Sequence, residues 1–477
     1  MWKRNVPWPG HIMALLASLF GGLPTAAQAQ NQSDLADIRQ QIQELKGAYE
    51  SRIQALEKRL KDAEQAAAAA QTTATQAQAQ AEQSRPEPAA ARQSSQNAFN
   101  PAISLILMGT YGNFKQDPTQ YSITGFQPPG ATSPGDRSFS LGESELFITA
   151  NVDHVFMGAI NLAVTDEGVD AEEAYFQTLA LGHGFTLKGG RFFSAIGYEN
   201  SIHAHAWDFV DTSLVQRTFL GENYGDDGLQ LTWIAPLPVF VEVGGELGRG
   251  RGLVGTFEDG ELASNDRNKN GVGAGAAFIH VGDDVGTSNS YRVGLSTLRT
   301  ATGTNAFPLA DFDTVTGVTN TFSNGTVQLY GTDFVWKWAP NGNFQYQNFK
   351  LVAEWFQLRR DGDLTFDTTG AAVTGPFSQK QSGWYVQGIY QFHPYWRVGL
   401  RYDQLDSGSF DGGVNSANIT PADYNAKRYS AMLDWNPSEF SRIRLQYNED
   451  KSVQNFTDHQ IFLQYIFSLG THGAHKF

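Results

Sequence analysis

Cysteine is absent from the 477-residue chain. That removes disulfide frameworks, thiol nucleophiles and thiolate metal sites together. Long apolar runs are missing too. Only 41% of residues are hydrophobic and mean hydropathy is -0.35. Beyond the N-terminus, no stretch approaches the ~20 apolar residues that a spanning helix needs, so a helical membrane protein is excluded. There is no GxSxG, no HExxH and no P-loop pattern, so no enzyme chemistry and no cofactor is expected. A formal charge of -15 argues against a nucleic-acid partner, which basic patches would attract.

What the chain has in quantity is aromatic residues and glycine. Phe, Tyr and Trp number 32, 17 and 10, and Gly 49. Many aromatics with low mean hydropathy suit a transmembrane β-barrel, whose strands alternate lipid-facing and water-facing residues.

The first 29 residues have the order of a secretory signal peptide: Lys3 and Arg4, an apolar core from Ile12 to Leu23, then small residues at Ala27–Ala29. Residues 30–83 read as a periplasmic coiled coil running into an Ala/Gln-rich helix. Leu35, Ile38, Ile42, Leu45 and Tyr49, then Ile53, Leu56, Leu60 and Ala63, keep heptad spacing with a stutter across Tyr49. That pattern predicts a homo-oligomer, with a trimer favoured over a dimer. Residues 84–100, containing Arg85–Pro88 (RPEP), read as a flexible linker.

From residue 101 to 477 the period becomes two. Sixteen segments of strand length follow, at 102–114, 139–152, 154–165, 169–180, 184–193, 225–235, 238–250 and 271–282, then 289–300, 328–339, 347–360, 381–393, 395–405, 426–436, 440–450 and 457–469. Short turns such as Pro236–Leu237 and His393–Pro394 alternate with long polar loops at 115–138, 194–224, 251–270, 301–327, 361–380 and 406–425. The expected fold is an all-β transmembrane barrel of 16 antiparallel strands, preceded by the coiled coil and set in the bacterial outer membrane.

Parity assigns the faces. Trp396, Val398, Leu400 and Tyr402 share one side with lipid; Arg397 and Arg401 share the other. Arg428, Arg442 and Arg444 fall on the same inner parity and predict a basic wall. Glu143, Glu145, Glu173, Glu242 and Glu246 predict an acidic wall on earlier strands. Opposed walls would create a transverse field across a wet lumen, since sixteen strands ordinarily enclose an aqueous channel. Asp117, Asp259, Asp266, Asp361 and Asp411 make the long-loop mouth acidic.

The loop 194–224 contains IHAHAWDFVD. His203, His205, Asp208 and Asp211 form a candidate metal set, because imidazole and carboxylate suit zinc or iron; the alternative is four solvated or packed side chains. Trp207, Phe209 and Phe219 suggest that this loop folds into the barrel. At the far end, Thr471–Phe477 (THGAHKF) breaks the apolar alternation and reads as a tail.

The stretch from Phe139 to Ala235, with ESELFITANVDHVFMGAINLAV and EEAYFQTLALGHGFTLKGGRFFSAIGYEN, resembles a superfamily of outer-membrane porins that includes the phosphate-selective (O/P-type) porins. With the N-terminal heptads, HAHAWDFVDTSLVQRTFLG is similar to siderophore porins of the legiobactin-uptake (LbtU-like) type. The resemblance implies TonB-independent diffusion of a small-molecule or metal-chelate solute across outer-membrane lipid. Two other functions fit the residues: a general or anion porin, and an envelope-tethering structural protein with a barrel anchor.

Overall fold

The structure is a computed structural model. It describes residues 101–118, 121–126, 133–166, 168–250, 270–303, 307–308, 318 and 320–470, with four isolated helical positions between 43 and 61. The signal peptide, the coiled coil as a whole, the linker, residues 251–269 and the tail 471–477 lie outside the described residues.

The first half of the sheet comprises β1 (Ala102–Asn113), β2 (Ser138–Ser140), β3 (Ser144–Asn151), β4 (Phe156–Val164), β5 (Val169–Thr178), β6 (Phe185–Phe193), β7 (Gly225–Ile234), β8 (Phe240–Gly248) and β9 (Ala274–Val285). The second half comprises β10 (Asn289–Gly303), β11 (Phe307–Pro308), β12 (Thr321–Trp338), β13 (Asn348–Phe366), β14 (Val373–His393), β15 (Trp396–Asp411), β16 (Lys427–Ser438), β17 (Ser441–Lys451) and β18 (Asp458–Gly470). β2 and β3 both pair with β1 and are two pieces of one staff. The two-residue β11 is an addition on β12. Sixteen antiparallel staves remain, and β1 closes on β18 from Ser104↔Gly470 to Asn113↔Ile461. Closure leaves no unpaired sheet edge, the condition for strands to stand in hydrocarbon.

Each of the sixteen sequence segments falls on one stave. The discrepancy is in length. Apart from the pieces β2, β3 and β11, strands run from nine residues in β4, β6 and β8 to 19 in β13 and 21 in β14. Most of the segment 361–380 and the first six residues of 406–425, expected as loop, are strand. There the outer face loses its run of apolar residues, while the inner face keeps Leu364 and Phe377 buried and the backbone ladder continues.

The distribution of exposure is inverted relative to a water-soluble protein. Leu400 is 69% exposed, whereas Arg428 and Arg444 have no exposed surface. On β15 the outer face reads Trp396, Val398, Leu400, Tyr402; on the neighbouring β16 it reads Trp435, Leu433, Ala431, Tyr429, and Trp396 stands opposite Trp435. The aromatic residues lie six positions apart with aliphatic residues between them, about 20 Å along the strand. That matches an apolar band flanked by interfacial aromatics. Leu400→Arg is expected to cost about 2–4 kcal/mol, the depth-dependent penalty for an arginine facing lipid. Urea titration of refolding into lipid vesicles would measure it, and undiminished stability would mean that Leu400 does not face hydrocarbon.

The interior is not uniformly wet, contrary to the expectation from strand number. Inside the barrel, residues Val352, Phe356, Tyr385 and Leu405 belong to a buried apolar cluster with Ile123, Phe126, Leu214, Val215 and Phe219. The last five come from two long loops, which carry their own apolar side chains into the barrel.

Candidate functional site: a loop across the lumen

The loop between β6 and β7 fills the site. Its stems are tied together by Asn200, whose amide donates to the carbonyls of Ser194 (2.7 Å) and Tyr224 (3.0 Å) and accepts from Tyr224 N–H (2.7 Å). Glu246 holds the first stem, accepting from Ala195 N–H at 2.9 Å and from the Ser194 hydroxyl. Glu354 of β13 accepts from the backbone N–H groups of Tyr198 (2.6 Å) and Glu199 (3.2 Å). That approach requires glycine next door: Gly197 has φ 68°, and a Cβ there would run into the Glu354 carboxylate.

Further on, the short helix α1 (Leu214–Leu220) is signalled by S-x-x-Q. The Ser213 side chain caps it by accepting from Gln216 N–H, and Gly221 ends it at φ 62°. Its apolar residues Leu214, Val215 and Phe219 are fully buried. Each contributes about 1.5–3 kcal/mol by the area it removes from water.

Between the stem and α1 the loop crosses from one charged wall to the other. On the acidic side, His203 Nδ1 lies 3.2 Å from Glu172 and Nε2 3.0 Å from Glu173. His205 Nδ1 bonds Glu145. The two imidazoles stack with centroids 6.0 Å apart. Burial works against a charge on His203, but its hydrogen bonds to Glu172 and Glu173 hold its pKa well above the ordinary value.

On the basic side the loop presents carboxylates. Asp208 pairs with Lys350 at 2.5 Å and Arg397 at 3.7 Å. Asp211 lies between Arg428 (2.6 Å), Arg401 (2.7 Å) and Arg217 (3.2 Å). Burial alone would raise the Asp211 pKa, but the three guanidinium groups hold it well below the carboxylate range. Midway, Trp207 packs with Ile106, Met108 and Ile466, and Phe209 lies under the Arg401 guanidinium at 4.4 Å.

The structure therefore separates the four residues grouped as a metal set. His203 and His205 go to one wall, where carboxylates meet their ring nitrogens, and Asp208 and Asp211 to the other, where they meet cations. All five arginines of the basic parity point inward. Arg442 and Arg444 donate to the loop carbonyls of His205 and Trp207, and Arg397 and Arg444 share Asp434. Of the acids, Glu145, Glu173 and Glu246 meet the loop; Glu242 pairs with His280 at 2.8 Å; Glu143 sits in the break between β2 and β3. Missed from the sequence were Asp403 and Asp434, which share the arginines' inner parity and were readable from it. Also missed were Lys350, Glu354 and Glu172, the last because a β-bulge breaks the parity rule.

A closed sixteen-strand β-barrel with a charge-complementary loop across its lumen is the class of protein that fold and site define. The chain belongs to the family of an uncharacterized protein of Aquifex aeolicus (strain VF5), to which it is 31% identical over 412 residues, covering 80% of this chain and 81% of that one. No family model matches the sequence. Among solved structures it is similar to a loop L8 deletion mutant of OmpT, an outer membrane protein of Vibrio cholerae (TM-score 0.49, 11% identity, 78% of this chain and 100% of that one). It is also similar to the outer membrane channel DcaP of Acinetobacter baumannii (TM-score 0.47, 13% identity, 78% and 97%).

Asp211→Ala would leave three buried arginines without their shared counterion. Breaking such a network by removing one partner costs about 3–5 kcal/mol. Amide exchange over residues 203–220 should accelerate correspondingly while the strands keep their protection. Unaltered protection of the loop would show that Asp211 does not hold it.

Proposed function

We propose that the protein is an outer-membrane channel for diffusion of small polar solutes, narrowed by the loop 194–224. The observation that carries this reading is the crossing itself, with His203 and His205 on the acidic wall and Asp208 and Asp211 on the basic wall. Water still reaches charged side chains beside the crossing. Lys350, Arg397 and Arg292 keep 24%, 22% and 27% of their side-chain surface, and His203 and Glu172 keep 19% and 16%. A solute passing these groups meets cations on one side and anions on the other, and the low-dielectric walls strengthen both.

The finer reading is passage of a metal ion or metal chelate, without a TonB-coupled plug domain. It is supported by the imidazole–carboxylate grouping at the wetted edge of the loop and by the sequence likeness to siderophore porins. The heptads of residues 35–63 support a homo-oligomer, with a trimer favoured.

Planar-bilayer recording on the purified full chain tests the channel. Stepwise conductance is expected, small for a sixteen-strand barrel. Asp208→Ala combined with Asp211→Ala should enlarge the steps severalfold, because the loop loses its hold on the basic wall. Absence of current in both proteins would leave the barrel as an anchor and favour the envelope-tethering role. For the specialty, replacing His203 and His205 together by Ala should weaken uptake of the metal or chelate by cells; unchanged uptake would leave a general porin.

A further inference from the structure

β5 carries a bulge opposite β4. Asn161 pairs with Glu173 and Leu162 with Ala171, so Glu172 has no partner in the ladder. A bulge re-aims an extra side chain, and this one brings two successive glutamates to a single imidazole. One donor atom each of Glu145, Glu172 and His203 lie within 4.8 Å of one another. The side-chain nitrogen of Asn161 stands among those donors, 2.7 Å from Glu145, 3.1 Å from Glu172 and 3.0 Å from His203 Nδ1. An NH₂ group can donate to the two carboxylates, but towards His203 Nδ1, which itself donates to Glu172 when protonated, it meets a second donor. The other end of the same amide, Oδ1, is buried with no hydrogen-bond partner on a residue that is 1% exposed. Rotating the amide exchanges the two atoms and turns an oxygen towards the three donors.

The geometry points to a binding site for one divalent first-row transition-metal ion, held by Glu145, Glu172 and His203 and completed by Asn161 Oδ1. One imidazole with carboxylate and amide oxygens suits zinc, manganese or iron(II) rather than a soft ion that prefers thiolate. Glu173 on Nε2, 3.0 Å away, supplies the carboxylate that orients a metal-bound histidine from behind. The ion would join β3, β4 and β5 to the loop. The site deepens the channel reading and rests on it in one respect, that ions reach His203 through the lumen.

The test uses the full chain in detergent, stripped with chelator, and Zn²⁺ alone as probe. Calorimetry should show one saturable equivalent per chain, and X-ray absorption a shell of nitrogen and oxygen with a single imidazole. His203→Ala and Glu172→Gln should each weaken binding at least tenfold, and Glu173→Gln by about 10–100-fold through the supporting bond. His183→Ala, in an exposed turn, should change nothing. Heat-modifiable migration on gels confirms that each variant is a closed barrel. Should the alanine variant fail to fold, Asn161→Asp gives the independent arm: it presents oxygen in either rotamer and should bind Zn²⁺ more tightly. No saturable binding by the unmutated chain, equal affinity in folded His203→Ala, or weaker binding by Asn161→Asp would overturn the site. Conductance of the stripped protein is recorded separately. Current without zinc binding removes the site and keeps the channel; zinc binding without current keeps the site and removes the channel.

Discussion

A guanidinium group sealed from water must be given its counterion and its hydrogen-bond acceptors by the protein, or its desolvation costs several kcal/mol. Arg217, Arg428 and Arg444 are among the largest side chains with no exposed surface. Their needs explain the arrangement of the interior. Arg428 takes Asp211, Asp403 and the carbonyl of Thr212; Arg444 takes Asp434 and the carbonyl of Trp207. Part of each set belongs to the wall and part to the loop, so neither is satisfied without the other. Asp211 and Arg428 are 217 positions apart, so this contact fastens the loop to a strand far along the chain.

The loop sequence is polarised to match. HAHA carries the groups that acids attract, and DFVD carries the groups that arginines attract, with Trp207 between them as an apolar wedge against Ile106, Met108 and Ile466. Exchanging the two halves would set histidines against arginines and aspartates against glutamates. Charge order thus fixes the direction in which the segment crosses, and the surrounding apolar contacts fix its depth.

The sixteen staves were legible because the two faces of each strand meet different surroundings, and a period of two records that difference in every residue. Where the outer face loses its apolar run, the signal ends: Asp361–Asp363 in β13 and Ser407–Asp411 in β15 are strand without apolar alternation. The inward direction of Arg401 and Glu145 was readable by the same rule. Their partners were not, because these lie 190 and 60 positions away and local pattern carries no information about distant pairing. The four residues of the metal set are drawn to different walls for a related reason. Proximity in sequence suggested a cluster, whereas an extended segment between two oppositely charged surfaces pulls its residues apart. Glu172 shows the limit of parity itself, since one inserted residue at the bulge turns a side chain expected outside to the inside.

Asn200 has a mechanical consequence. By clamping Ser194 to Tyr224 it closes the stems into a ring, while the distal part is fastened to opposite sides of the cylinder. A tie anchored in this way resists widening of the tube along its own direction. Lateral pressure from the surrounding bilayer then cannot squeeze the barrel into an ellipse without stretching peptide between His205 and Asp211. The widest opening along that direction is set by a length of covalent chain held in tension.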